Sequence, residues 1–220
     1  MAEYSISKLN KVVRGSKRAT YDIETIHTIL DEGFLCHIGY IYNNQAIVIP
    51  TAYARKEDKI YIHGSLKNRM MLSLLESGTA SISVTHLDGL VLARSAFHHS
   101  ANYRSVNLFG TVKIVEDPIE KMEALKCILN HMISGHWDNV RKPNNKEFNA
   151  TLVLEIHIQT ASAKIRAEGV VDDQEDYNSS IWAGVVPIKQ IAFDPISDEQ
   201  LPENTKIPEE VLRYVLKNKA

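Results

Sequence analysis

Long apolar runs are absent from this 220-residue chain. No stretch approaches the roughly 18 to 20 consecutive apolar residues that a membrane-spanning helix needs. Residues 1–11 are polar, unlike a secretion signal, so the expectation is a soluble cytoplasmic protein with no membrane partner. Cysteine is scarce. Cys36 and Cys127 stand far apart with no C-x-x-C spacing, which argues against both a disulfide framework and a thiolate metal centre and suggests two buried thiols in a reducing compartment. No basic run is longer than Lys17-Arg18, and 25 Lys and Arg against 27 Asp and Glu leave a formal charge of -2, so no nucleic-acid partner is expected. There is no Gly-x-Gly-x-x-Gly stretch to hold a dinucleotide tightly, so any nicotinamide would be a transient substrate. Internal repeats and low-complexity tracts are also missing.

What is present is 44% hydrophobic residues, enough for one substantial core, arranged mostly as short strands. The most informative stretch is 59–75, where a β-branched run passes into an amphipathic one through His63-Gly64-Ser65. Met70, Met71, Leu74 and Leu75 have helical spacing, and Ser65 suits the N-cap. Lys67 and Arg69 then fall in the first helical turn, where cations oppose the helix dipole. A bound phosphate would resolve that conflict. The bland alternative is two solvated side chains.

Residues 1–20, with Lys8, Lys11, Arg14, Lys17 and Arg18, read as an extended or disordered arm. Asp22 to Glu32 has Ile23, Ile26, Ile29 and Leu30 at helical spacing and stops at Gly33, with His27 read as a packed core residue. Phe34–Ile41 and Gln45–Tyr53 flank Asn43-Asn44, a tight hairpin signal. Arg55 to Asp58 is read as a turn. Thr79–His86 and Leu90–Phe97 are read as a second hairpin with Asp-Gly at its tip. Successive short antiparallel strands argue for a barrel or sandwich.

Residues 98–105 are read as a polar loop suited to function. His98 and His99 are adjacent and point to opposite sides, with no third ligand at useful spacing, so no metal is expected. Asp117-Pro118-Ile119-Glu120 opens a helix whose buried face is Met122, Leu125, Ile128 or Leu129, and Met132. Gly135 to Phe148 is read as a loop, Ala150–Ile158 and Ser162–Glu168 as strands. Lys164 and Arg166 share one strand face, as solvated cations or as ligands. A strand over Ile188–Phe193, a loop over 194–207 and a closing helix over Pro208–Leu216, with Val211, Leu212, Val215 and Leu216 inward, complete the chain.

Four phrases, in this order, resemble the FMN-binding split-barrel superfamily of pyridoxamine 5'-phosphate oxidases, in the branch that includes nitroimidazole-resistance reductases. They are Arg14-Gly-x-Lys17-Arg18-Ala-x-Tyr21-Asp22, His63-Gly64-Ser65-x-x-Asn68-Arg69, Asn102-Tyr103-Arg104-Ser105-Val106 with Gly110, and Trp182-Ala183-Gly184-Val185 before Pro187. The resemblance spans residues 14–193. It implies a mainly β fold, a β-barrel with peripheral helices, divided into an arm (1–20), the barrel (21–195) and a C-terminal loop and helix (196–220).

The same resemblance implies FMN, with Asn68 and Arg69 on its phosphate and His63, Gly64 and Ser65 beside them. Ile49, Pro50 and Thr51 would present backbone to the flavin edge, and Arg104 and Ser105 would reach the phosphate or the ring. Trp182 would come from the second subunit of a homodimer. Met70 stands where many of these oxidases have a second basic residue, leaving Lys67 or Arg104 to substitute. The Arg-Leu-His run that binds pyridoxal phosphate is missing from Phe193 to Asp198, and Thr51 replaces a substrate-contacting Lys. Vitamin B6 oxidation is therefore not expected. The implied activity is an FMN-dependent oxidoreductase acting on a small molecule, with NADH or NADPH as the candidate reductant. A general acid, if the reaction uses one, would be His63, His98 or His99, because histidine titrates near neutral pH. The alternative is a flavin-binding or flavin-storing module without turnover.

Overall fold

The structure, a computed structural model, describes residues 2–219. After the arm and a two-residue strand β1 (Ala19–Thr20), helix α1 (Ile23–Asp31) begins where Asp22 accepts the Thr25 N–H. Strands β2 (Leu35–Tyr42) and β3 (Gln45–Ala52) form the expected hairpin, with Asn43 and Asn44 both left-handed at φ 48° and 61°. β4 (Ala54–Lys56), β5 (Lys59–Ser65) and α2 (Arg69–Ser77) follow, then β6 (Thr79–Leu92), β7 (Ser100–Ile114), α3 (Pro118–Met132), α4 (Asn145–Ala150), β8 (Thr151–Arg166), β9 (Gly184–Pro187) and α5 (Glu209–Asn218).

All the strand pairings are antiparallel, in the order β3-β2-β6-β7-β8-β5-β4, with β1 added to β8 and β9 to β6. The end strands β3 and β4 are joined by Tyr53 alone and β3 comes alongside β5, so the sheet curls into a barrel with its seam between those edges. Ile38, Ile60, Ile62, Ile82, Leu108, Leu154 and Ile156 fill the interior with Ile26 and Leu30 of α1 and Met71 and Leu74 of α2. Each such side chain contributes about 1.5–3 kcal/mol by leaving water. α3 covers β4, β5 and β8 from outside through Ala124, over Val115 and Val153.

The all-β barrel expectation holds, but several elements differ from the sequence reading. Leu87-Asp88-Gly89 is no hairpin tip. β6 runs through it with a bulge, because both halves pair with β7 and the second half also with β9. Residues 100–105 belong to β7 rather than a loop, and one strand, β8, replaces the two read over 150–168. Ala54–Lys56 is a strand where a turn was read, and the turn itself is Glu57, at φ 54°. Within the expected loop 135–148 lies the start of α4, held by a capping box between Asn144 and Glu147, and Trp137 does pack there. The strand read over 188–193 is absent, and β9 precedes it. In α5, Val215 and Glu210 are buried while Leu212 and Leu216 are open, because Glu210 bonds His136 at 2.8 Å.

The arm is ordered. Asn10 is 2% exposed and its Nδ2 donates to the Ala161 carbonyl of β8 at 2.9 Å. Tyr4 Oη donates to Asp58 at 2.6 Å and shares a bond with His27 Nε2, so His27 faces a polar network rather than a wholly apolar core. Asn10→Ala should lower stability by about 1–3 kcal/mol, because a buried carbonyl loses its donor. Thermal unfolding and faster proteolysis of the arm would read this out, and unchanged values would refute it.

Candidate functional site

The strand-to-helix passage is built as a tight turn. Ser65, last in β5, accepts the Lys67 N–H at 3.2 Å, and its carbonyl accepts the Asn68 N–H at 2.9 Å. The helix therefore starts three residues later than the sequence suggested. Its N-cap is Asn68, whose Oδ1 accepts the Met71 N–H at 3.3 Å. Gly64 faces this cap. A Cβ there would lie 3.1 Å from Asn68 Nδ2 and 3.4 Å from Met71 Sδ, so glycine lets the turn close. Met70 is 3% exposed and belongs to the core.

Arg69, the first residue of α2, reaches back to β2. Its Nε donates to Tyr40 Oη at 3.3 Å, and its Cζ lies 4.6 Å from the centre of the Tyr42 ring. Arg18, Arg55, Arg94, Arg104 and Arg141 each pair with a carboxylate, whereas no ion pair reaches Arg69 or Lys67 among the described residues. An uncompensated guanidinium at the positive end of a helix is a donor set for a phosphate.

Across the seam stands β3, an end strand with one backbone edge outside the ladder. Ile49 and Thr51 are half-buried there and Pro50 is exposed, a position a proline tolerates because it has no N–H to pair. His63 keeps a solvent-exposed edge, while protein packed around the rest of its ring holds the pKa below the ordinary imidazole value. Burial of part of the ring disfavours the protonated form.

Arg104 and Ser105, expected at this site, have their bonded partners elsewhere in the fold, and Trp182 was expected from a second copy of the chain. Arg104 pairs with His86 and Ile165 and is held by two carboxylates. Its Nε and Nη2 bond Asp88 at 3.0 and 2.9 Å, and Nη1 bonds Glu32. Its charge is spent inside the fold. Ser105 donates to the Lys164 carbonyl at 3.3 Å, near one end of β8, while Ser65 pairs with Thr151 at the other. Trp182, 66% exposed, lies over Gly184 at the start of β9.

The cations with open roles make hydrogen bonds within the fold. Lys164 donates to the Arg14 carbonyl at 3.1 Å, and Arg166, 4% exposed, donates to Asn102 and the Glu168 and Gly169 carbonyls. His98 Nε2 lies 3.2 Å from Asp173, and Asp176 brings a third donor to within 4.8 Å; both carboxylates arrive from far along the chain. Tyr40 and Tyr42 were missed. Their alternate spacing on β2, opposite the first turn of α2, is visible only once the barrel closes.

Comparison with known proteins then places the fold. Residues 22–165 match the profile of the family described as pyridoxamine 5'-phosphate oxidase. No curated protein matches the chain. Among solved structures, the flavocytochrome Anf3 from Azotobacter vinelandii shares 37% identity over 94% of this chain and 96% of its own, with a TM-score of 0.89. The FAD and heme binding protein from Mycobacterium smegmatis shares 30% over 90% of this chain and 97% of its own, at 0.85. A protein assigned to 5-nitroimidazole antibiotic resistance from Bacteroides thetaiotaomicron shares 19% over 67% of this chain and 86% of its own, at 0.57, a likeness of fold alone. On the matched profile, on these two long relatives and on the split barrel itself, the chain belongs to the pyridoxamine 5'-phosphate oxidase family.

Proposed function

We propose that this protein is a redox flavoprotein that holds a phosphorylated flavin in the seam between β3 and β5, with its phosphate on Arg69, and a heme beside it. The observation that carries the reading is the uncompensated Arg69 guanidinium at the head of α2. The open edge of β3 suits the rim of a flat heterocycle, which takes hydrogen bonds from backbone groups. Asn68 caps the helix through Oδ1, which leaves its Nδ2 for an anion.

The family resemblance leads to FMN. The 30% relative is named for FAD and heme and the 37% relative for a flavocytochrome, which favours the dinucleotide form and a heme for this chain. When bound, a flavin and a heme together connect two-electron donors to one-electron steps. Iron needs an imidazole nitrogen without a proton. His27, His86, His98 and His131 each have Nε2 in a hydrogen bond. His37, His63 and His157 have no bonded ring nitrogen among the described residues, and of these His63 stands on β5 just before the turn into α2, so it is our candidate iron ligand.

A second copy of the chain fits the outward face of the β2–β3 hairpin. Leu35, Ile41 and Val48, 52%, 63% and 64% exposed, share the outward face of the β2–β3 hairpin with His37 and Pro50, an apolar surface of the kind that marks an interface. The substrate is a small molecule and the reductant a transient NADH or NADPH.

The purified protein should show a flavin band and a Soret band, bleach anaerobically with NADH or NADPH and recolour in air. Colour without bleaching would favour a binding module, and no flavin band would end the reading. His63→Ala should lower heme content at least about tenfold while flavin content stays within about twofold, as measured by the Soret band and the released flavin. Unchanged heme would remove His63 from the iron.

A further inference from the structure

We infer that Tyr40 and Tyr42 are positioning residues that set the Arg69 guanidinium for its phosphate before any ligand arrives. The inference rests on the phosphate-site reading above.

The sequence places three strands, β3, β4 and β5, between the two tyrosines and Arg69, yet the barrel brings them together. Tyr40 and Tyr42 are two apart on β2 and so face the same side. Tyr40 is 7% exposed, anchored in the core cluster that also holds Met70 and Met71. Its hydroxyl accepts from Arg69 Nε at 3.3 Å. The ring of Tyr42, partly exposed, lies under the guanidinium with Cζ 4.6 Å from its centre.

An arginine has five N–H donors in a planar fork. The Tyr40 bond engages Nε alone. The cation–π contact with Tyr42 holds the guanidinium over the ring. Neither contact brings a negative charge, so the cation keeps its full charge for an anion, in contrast to Arg104, which is neutralised by Asp88 and Glu32. The two Nη groups have no hydrogen-bond partner among the described residues and stay in solvent. They are therefore the pair left to donate together to a phosphate, the fork geometry that suits it. A long side chain held this way loses less rotamer freedom on binding than a free one, which raises affinity without a new contact.

The test uses the full-length chain stripped of flavin, titrated with FMN and with riboflavin, which lacks the phosphate, and followed by flavin fluorescence. The variants are Tyr40→Phe, Tyr42→Leu, Arg69→Ala and the double variants with Arg69→Ala. Tyr40→Phe should weaken FMN about five- to tenfold and Tyr42→Leu about threefold. Riboflavin affinity should stay the same in both. In the Arg69→Ala background neither tyrosine change should alter FMN affinity further. Equal weakening of FMN and riboflavin would mark the tyrosines as general packing and overturn the inference. So would unchanged FMN affinity, or an effect that survives Arg69→Ala. Arg69→Ala with the wild-type preference for FMN over riboflavin would instead overturn the phosphate-site reading, and the inference with it. The first three outcomes leave that reading standing, so the two failures are distinguishable.

Discussion

Replacing Arg69 by Ala should lower flavin affinity about 30-fold or more, so that the protein purifies with little flavin, whereas Lys8→Ala should leave its colour unchanged. The size follows from the loss of a charge-assisted bidentate contact, each bond of which is worth about 1.5–3 kcal/mol. Burial is not at stake, because Arg69 is exposed and the residues that hold α2 in the barrel are Met70, Met71 and Leu74. Unfolding temperature without flavin should therefore change little. The helix keeps its cap, since Asn68 and not Arg69 holds the Met71 N–H. Flavin absorbance per chain after identical purification is the readout. Equal content in both variants would remove Arg69 from the site.

The second large effect concerns the frame that holds the site. Gly110 sits in β7 where the register against β8 shifts, and a Cβ there would lie 2.3 Å from the His157 carbonyl oxygen and 2.9 Å from Ile156 Cγ2. The first of these is backbone in a paired central strand and cannot move aside without breaking the ladder. Gly110→Ala should cost about 3 kcal/mol, at the upper end of overpacking changes. For a chain of this size that is a fall of roughly 6–12 °C in apparent unfolding temperature. Gly78→Ala, with no atom within 4 Å of its Cβ but φ at 66°, should cost less, through backbone strain alone. Equal losses in the two variants would mean that the contact at Gly110 is relieved by strand movement.

The features that were legible in the sequence are those decided within a few residues. Asn43-Asn44 tolerates the positive φ the hairpin needs, and Asp117-Pro118 starts α3 because Asp117 accepts the Ile119 and Glu120 N–H groups at 2.9 Å each. The passage from β5 into α2 was also local, with only its cap displaced, since serine and asparagine cap by the same bond. Long-range choices were not legible. Asp88-Gly89 has the composition of a hairpin tip, and only pairing with β7 and β9 turns it into a bulge. Arg104 is visible as a cation, but its partners Asp88 and Glu32 come from a neighbouring strand and from the end of α1. Asp173 and Asp176 reach His98 from far along the chain, beyond any local spacing rule. Arg69 was singled out from sequence because the conflict between its charge and the helix dipole is local. Tyr40 and Tyr42 were not, because their relation to it exists only in the closed barrel.

The central claim is that a flavin phosphate is held where β5 gives way to α2. Crystallography of the flavin-loaded protein tests it most directly. The account predicts phosphate oxygens within hydrogen-bond distance of both Arg69 Nη groups and the ring system along β3. Density for the phosphate on any other cation, with Arg69 left in solvent, would contradict it.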